Sequence, residues 1–136
     1  MGIFDQLKRD EGCRLTPYKD QVGKLTIGYG RNLDDVGISL DEANTLLQND
    51  VRKAVADVNQ HLPWAKGLDD ARLGVLINMA FNMGIAGLLQ FKNTLALIEA
   101  GEFDQAADAM LESKWATQVG PRAHRLAVQM RSGEWQ

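Results

Sequence analysis

The chain has 136 residues, 45% of them apolar and 24% charged, with a formal net charge of −3 and one cysteine. This is one domain's worth of chain with enough apolar side chains for a real core, and the mixed charges exclude a disordered polymer. The lone Cys13 excludes an internal disulfide framework and a thiolate zinc cage, and the negative balance disfavours nucleic acid as a partner.

Charge is unevenly spread. Residues 1–34 hold six basic against five acidic residues, residues 35–111 five against eleven, and residues 112–136 four against two. The plain reading of these slightly basic ends is solvated surface; ends that meet in space would frame a place for an anionic polymer.

Periodicity predicts a first helix over about Ile3–Glu11, with Ile3, Phe4 and Leu7 on one face and Gly12 where a left-handed C-cap would sit. It reads as an amphipathic helix and not as a secretory leader, so synthesis in a cytoplasm without a signal peptide is expected. Arg14 to about Leu33 is strand territory, with Leu25, Ile27 and Tyr29 alternating among Gly23, Gly28 and Gly30. Ser39-Leu40-Asp41-Glu42 is a capping box opening a long helix that ends near His61, before Pro63.

A strongly apolar helix follows from Asp69 or Asp70 to Met83, ended by Gly84, and its apolar circumference predicts a buried central helix. Shorter helices are expected over about Ile85–Leu89, Asn93–Ala100, Phe103–Glu112 and Pro121–Arg131. No uninterrupted apolar run approaches the ~18 residues of a membrane span. No repeat or interdomain linker is visible. The expected fold is α+β and mostly helical, a single domain over 1–136. A small β-containing lobe spans about 12–38, a connecting helix about 39–61, and a helical lobe takes in 1–11 and about 62–136.

Glycosidic cleavage usually employs two carboxyl groups, one protonating the leaving oxygen and one activating water or attacking directly. Glu11 ends a helix beside apolar Ile3, Leu7 and Leu15, and both the helix dipole and burial disfavour a carboxylate there. Asp20 precedes the Gly23 turn, and Thr26 stands in a strand with a hydroxyl able to hold a water. Singly, each of these residues has an ordinary explanation: a helix end, turn chemistry, strand propensity.

Together, Glu11-Gly12, Leu15, Tyr18, Asp20, Gly23, Thr26-Ile27-Gly28 and Gly30 at their fixed spacing resemble the signature of the T-even phage lysozymes, glycoside hydrolase family 24. The similarity runs on through Asp50-Val51, Asn78 to Gly84, Phe91 to Leu95, Ser113-Lys114-Trp115 and Arg131 to Trp135. It implies a lysozyme-like fold and hydrolysis of the β-1,4 bond between N-acetylmuramic acid and N-acetylglucosamine in peptidoglycan. It also implies Glu11 as general acid, Asp20 as base or stabilising carboxylate, and Thr26 positioning the attacking water. Asn32, Phe81 and Thr94 fall where the family contacts its saccharide, and Arg122 where an arginine approaches the catalytic glutamate. No metal or cofactor is implied.

The resemblance further implies a monomeric endolysin made in a host cytoplasm that reaches the wall through a phage hole-forming membrane protein. The segment between Leu33 and Ser39 is shorter than in the T-even members, and Ala109 replaces a polar family residue. Arg31 stands in place of a histidine, and an Arg31–Asp50 ion pair is expected.

Other residues carry weaker signals. His61 and His124 show no triad pattern. Trp64, Trp115 and Trp135 read as packing, Met79, Met83, Met110 and Met130 as core fillers, and Cys13 as a small buried hydrophobe. The alternatives are a lytic transglycosylase of similar fold, which needs one acid and no water, and a catalytically silent peptidoglycan-binding module.

Overall fold

The computed structural model describes residues 2–136. In chain order these form α1 (Ile3–Glu11), β1 (Arg14–Lys19), β2 (Leu25–Gly28), β3 (Arg31–Asn32), α2 (Leu40–His61), a 3-10 turn (Pro63–Gly67), α3 (Asp70–Leu89), α4 (Lys92–Glu99), α5 (Phe103–Leu111), α6 (Lys114–Val119) and α7 (Pro121–Ser132). The mostly helical α+β composition is the expected one. The chain divides within α2 into two compact units, residues 1–46 and 47–136. This division groups α1 with the sheet, whereas the sequence reading groups residues 1–11 with the helical lobe; α1 feeds β1 through a single turn at Gly12.

In the first unit, the Asp5 carboxylate accepts from the Gly2 N–H at 3.2 Å at the start of α1. Gly12 ends the helix at φ 66°, a conformation that costs glycine little, with its N–H donating to the Lys8 carbonyl at 3.0 Å. The sheet is an antiparallel meander in the order β1-β2-β3. Arg14 pairs with Gly28 and Tyr18 with Thr26, so four steps along β1 oppose two along β2. This is a bulge, and Pro17, which has no N–H to give, sits inside it on an edge strand. The capping box forms as expected: the Ser39 N–H donates to Glu42 Oε1 at 2.9 Å and the Glu42 N–H to Ser39 Oγ at 3.1 Å.

The second unit is all helical. Val58, Val75, Leu76, Met79, Leu88, Ile98, Met110 and Met130 are its fully buried large side chains, while Met83 packs at the margin. α3 is the one described helix long and apolar enough to cross a membrane. Its side chains Ala71, Val75, Leu76, Met79, Ala80 and Leu88 are buried, and Gly84 at φ 78° and ψ 161° breaks its geometry. The expected stop at Gly84 and restart at Ile85 are therefore both present.

Arg72 on α3 caps the end of α7, donating to the Met130 and Arg131 carbonyls at 2.6 and 2.9 Å while lying 3.8 Å over the Phe103 ring. Buried Gln129 donates to the Ala71 carbonyl at 2.7 Å.

Three differences from expectation have local causes. α6 is a helix that the periodicity does not announce, because six residues give too few turns to show a stripe; Ser113 caps it, its Oγ accepting from the Ala116 N–H at 3.2 Å. Trp115 is buried and Trp64 packs on the core, but Trp135 is 66% exposed, one side of its ring lying against Gly74 where a Cβ would collide. Cys13 is exposed and not a buried hydrophobe, since the turn after Gly12 carries it away from any core.

Leu76 is wholly buried at the centre of α3. Leu76→Ala is expected to destabilise the second unit by about 3 kcal/mol, through lost transfer energy plus the cavity left behind. Urea unfolding measures it, and an unshifted midpoint would remove Leu76 from the core argument.

Candidate active site

Glu11 is carried by the last residue of α1 and Asp20 by the first residue after β1. Both line one recess of about 540 Å³ within the first unit, together with Arg14, Tyr18, Lys19, Gln21 and Val22. A larger and more apolar recess of about 830 Å³ lies between β2–β3 and the start of α2. It contains neither Glu11 nor Asp20, so the smaller one is the candidate site.

Glu11 is exposed, and the apolar surround expected for its carboxyl is absent from the first unit. A missing side chain makes room for it. A Cβ on Gly30 would stand 2.7 Å from Glu11 Oε2, and Gly30 has φ +77°. Only glycine lets the backbone approach the carboxylate this closely. Asp20 is held by its own turn: Oδ1 accepts from the Val22 N–H at 3.0 Å and the Lys24 N–H at 2.8 Å, while its backbone N–H donates to the Lys24 carbonyl at 2.9 Å. One carboxylate oxygen thus serves the turn, and no hydrogen bond among the described residues engages the other.

Thr26 is 3% exposed and its hydroxyl donates to the Lys24 carbonyl at 2.9 Å. It is not among the residues lining the recess. Asn32 pairs with Thr26 in the sheet, and both ends of its amide are engaged by the next loop: Nδ2 donates to Asp35 Oδ2 at 3.0 Å and Oδ1 accepts from the Asp35 N–H at 2.9 Å.

Arg31 does not take Asp50 as its partner. Its Nη1 donates to Glu42 at 2.8 Å and to the Gly37 carbonyl at 3.1 Å. The reason is proximity: the short segment after Leu33 brings the first turn of α2 beside β3, and Asp50 lies two helical turns further on, in the second unit. The Arg31 guanidinium, with help from the Ser39 N–H and hydroxyl, holds the Glu42 carboxyl down at about 2. Elsewhere in the first unit, the neighbouring Cys13 side chain raises the Tyr29 phenol above its usual range, and Lys8 Nζ lies 5.9 Å over the Tyr29 ring.

The second unit carries the remaining expected residues. Phe81 is 42% exposed and lines a recess of about 260 Å³ with Asp50, Lys53 and Asp57. Thr94 is buried at the floor of another, of about 470 Å³, beside Phe91, Ala109 and Trp115. Arg122 is half-buried, its Nε and Nη2 gripping Asn78 Oδ1 at 3.0 and 2.6 Å. Among the described residues no group of three His, Cys, Asp or Glu side chains is placed to hold a metal ion. Sequence reasoning missed Arg14 and Lys19 as recess residues. The available signal was Pro17, which marks the irregular strand that gathers them.

A helix-end glutamate set against a glycine and a turn-locked aspartate with one oxygen free both open on one recess, which brings together the kind of carboxyl pair that glycosidic cleavage usually employs. Comparison with known proteins carries this further. Residues 8–132 match the family described as Phage lysozyme. The chain is 31% identical to "Probable T4-type lysozyme 1" of Dictyostelium discoideum, over 96% of this chain and 94% of that one. It is 29% identical to "Pre-baseplate central spike protein Gp5" of Enterobacteria phage T4 over 98% of its length, while spanning only 28% of the spike protein. To the "Endolysin" of Acyrthosiphon pisum secondary endosymbiont phage 1 it is 28% identical, over 81% of this chain and 74% of that one. The chain belongs to the phage lysozyme family and is a glycoside hydrolase of the lysozyme kind.

Two outcomes follow from this geometry. Gly30→Ala meets only the far end of a flexible glutamate, so Glu11 moves aside; the fold loses about 1–2 kcal/mol from the left-handed backbone, while activity falls at least tenfold. Thermal melting and turbidity assays on one preparation separate the two, and full activity would show that the Glu11 position is not set by Gly30. Glu42 has a folded value near 2 against an ordinary 4.5. Its stabilising contribution is therefore complete above the ordinary value and is lost as pH falls from about 4.5 towards 2. Carboxyl NMR titration should place the Glu42 midpoint near 2 in wild type and well above it in Arg31→Gln.

Proposed function

We propose that the chain hydrolyses the β-1,4 bond between N-acetylmuramic acid and N-acetylglucosamine in bacterial peptidoglycan. Glu11 gives its proton to the leaving oxygen. Asp20, through the oxygen not bound to the turn, accepts a proton from the attacking water or faces the developing oxocarbenium charge. Thr26 is assigned to the attacking water; its proton is committed to the Lys24 carbonyl, so from its buried place behind the recess it offers that water only lone pairs. The observation that carries the reading is that Glu11, lying against Gly30, and Asp20, locked by its turn, share one recess.

Asn32, Phe81 and Thr94 are assigned to the saccharide, and Arg122 to the surroundings of Glu11. The relatives named endolysin and T4-type lysozyme support a cell-wall substrate. A monomer made in a host cytoplasm and released to the wall through a phage membrane hole fits that role.

Digestion of purified peptidoglycan by wild type and by Glu11→Gln, read by mass spectrometry, tests the assignment. Reducing-end muropeptides are expected from wild type, with Glu11→Gln slower by at least about 100-fold. Anhydro products would make the protein a transglycosylase, and wall binding without any product a silent module.

A further inference from the structure

The same recess contains a cation that the two-carboxylate reading leaves unused. Arg14 and Tyr18 lie four residues apart on β1, a separation of about 13 Å between α-carbons in a regular strand. The bulge over the residues between them alters that path, and the Arg14 guanidinium lies 4.6 Å from the centre of the Tyr18 ring. A bulge is a common device for re-aiming a side chain beside an active site.

Stacking on an aromatic face holds the planar guanidinium still and leaves its edge N–H groups free. Among the described residues Arg14 has no ion-pair partner. It lines the recess with Glu11 and Asp20, and Lys19 adds a second cation to the same wall. A pre-oriented fork of donors without a partner is suited to a carboxylate, which it meets with two parallel hydrogen bonds. A neutral glycan chain carries no such group. The peptide substituent on its muramic acid residues does.

We propose that Arg14, held over the Tyr18 ring, binds a carboxylate of the peptide substituent and so sets the substrate's register in the recess. This rests on peptidoglycan being the substrate. Arg14 is thus a substrate-binding residue and Tyr18 its positioning residue. Lys19 strengthens the local field without the planar geometry.

The test is binding, followed by NMR or fluorescence titration, using a disaccharide tetrapeptide from peptidoglycan and the same compound with its carboxylates amidated. Arg14→Gln is expected to weaken the first about tenfold or more and to leave the second within about twofold of wild type. Tyr18→Phe, which keeps the ring, should bind as wild type does, whereas Tyr18→Leu loses part of the discrimination. Equal weakening of both compounds, no weakening of either, or a wild type that binds neither overturns the proposal. Because the readout is binding, an Arg14-dependent preference in a protein that cleaves no glycan would leave this inference standing while the hydrolase reading fell.

Discussion

The first unit is organised around the carboxylate of Asp20. By accepting from the Val22 and Lys24 N–H groups, it closes the turn between β1 and β2 and satisfies two donors that no strand partner reaches. The turn fixes the register of the hairpin. Register in turn sets Thr26 opposite Tyr18 and Gly28 opposite Arg14, with the bulge absorbing the mismatch. From Gly28 the chain needs only two residues to bring Gly30 against Glu11. One side chain therefore contributes to folding and to the candidate chemistry, and the division of labour is between its two oxygens.

The segment after the sheet is tied down by short polar contacts instead of apolar packing. The Leu25 N–H donates to Asp34 at 2.7 Å, Lys24 reaches Asp35 at 3.2 Å, and Asn32 clasps Asp35 from both ends of its amide. Arg31 then links β3 to the first turn of α2 through Glu42. Exposed ion pairs singly contribute little. Here Glu42 serves the capping box and Arg31 together, so helix start and sheet edge are coupled through one carboxylate.

The second unit depends on a different physics. Its helices bury a continuous apolar core, and its polar contacts mostly tie helix ends and side chains together: Arg72 on the end of α7, Gln129 against α3, Trp115 donating to Asn82 at 2.9 Å. Arg122 bound to Asn78 belongs to the same pattern, a guanidinium held in place by one amide oxygen. Phe81 differs from its neighbours Met79 and Ala80, which are buried, in being half open to a recess with two aspartates.

Much of the fold is legible because its signals are local. Gly12, Gly84 and Gly133 stop helices through positive φ, Ser39 and Glu42 cap α2 within three residues of one another, and the apolar stripe of α3 repeats over enough turns to read as core. The spacing of Glu11, Asp20, Thr26 and Gly30 is likewise a property of the chain, and it carried the family likeness. α6 escaped because its length is too short for a period to appear. Other features were decided only by the tertiary structure: Glu42 in place of Asp50 as the partner of Arg31, the exposure of Cys13, the Glu11 carboxylate against Gly30, and Arg14 lying on Tyr18. Each depends on how a bulged hairpin is registered and where a short loop returns the chain. Side-chain periodicity records which face a residue occupies, but not which distant group will meet it there.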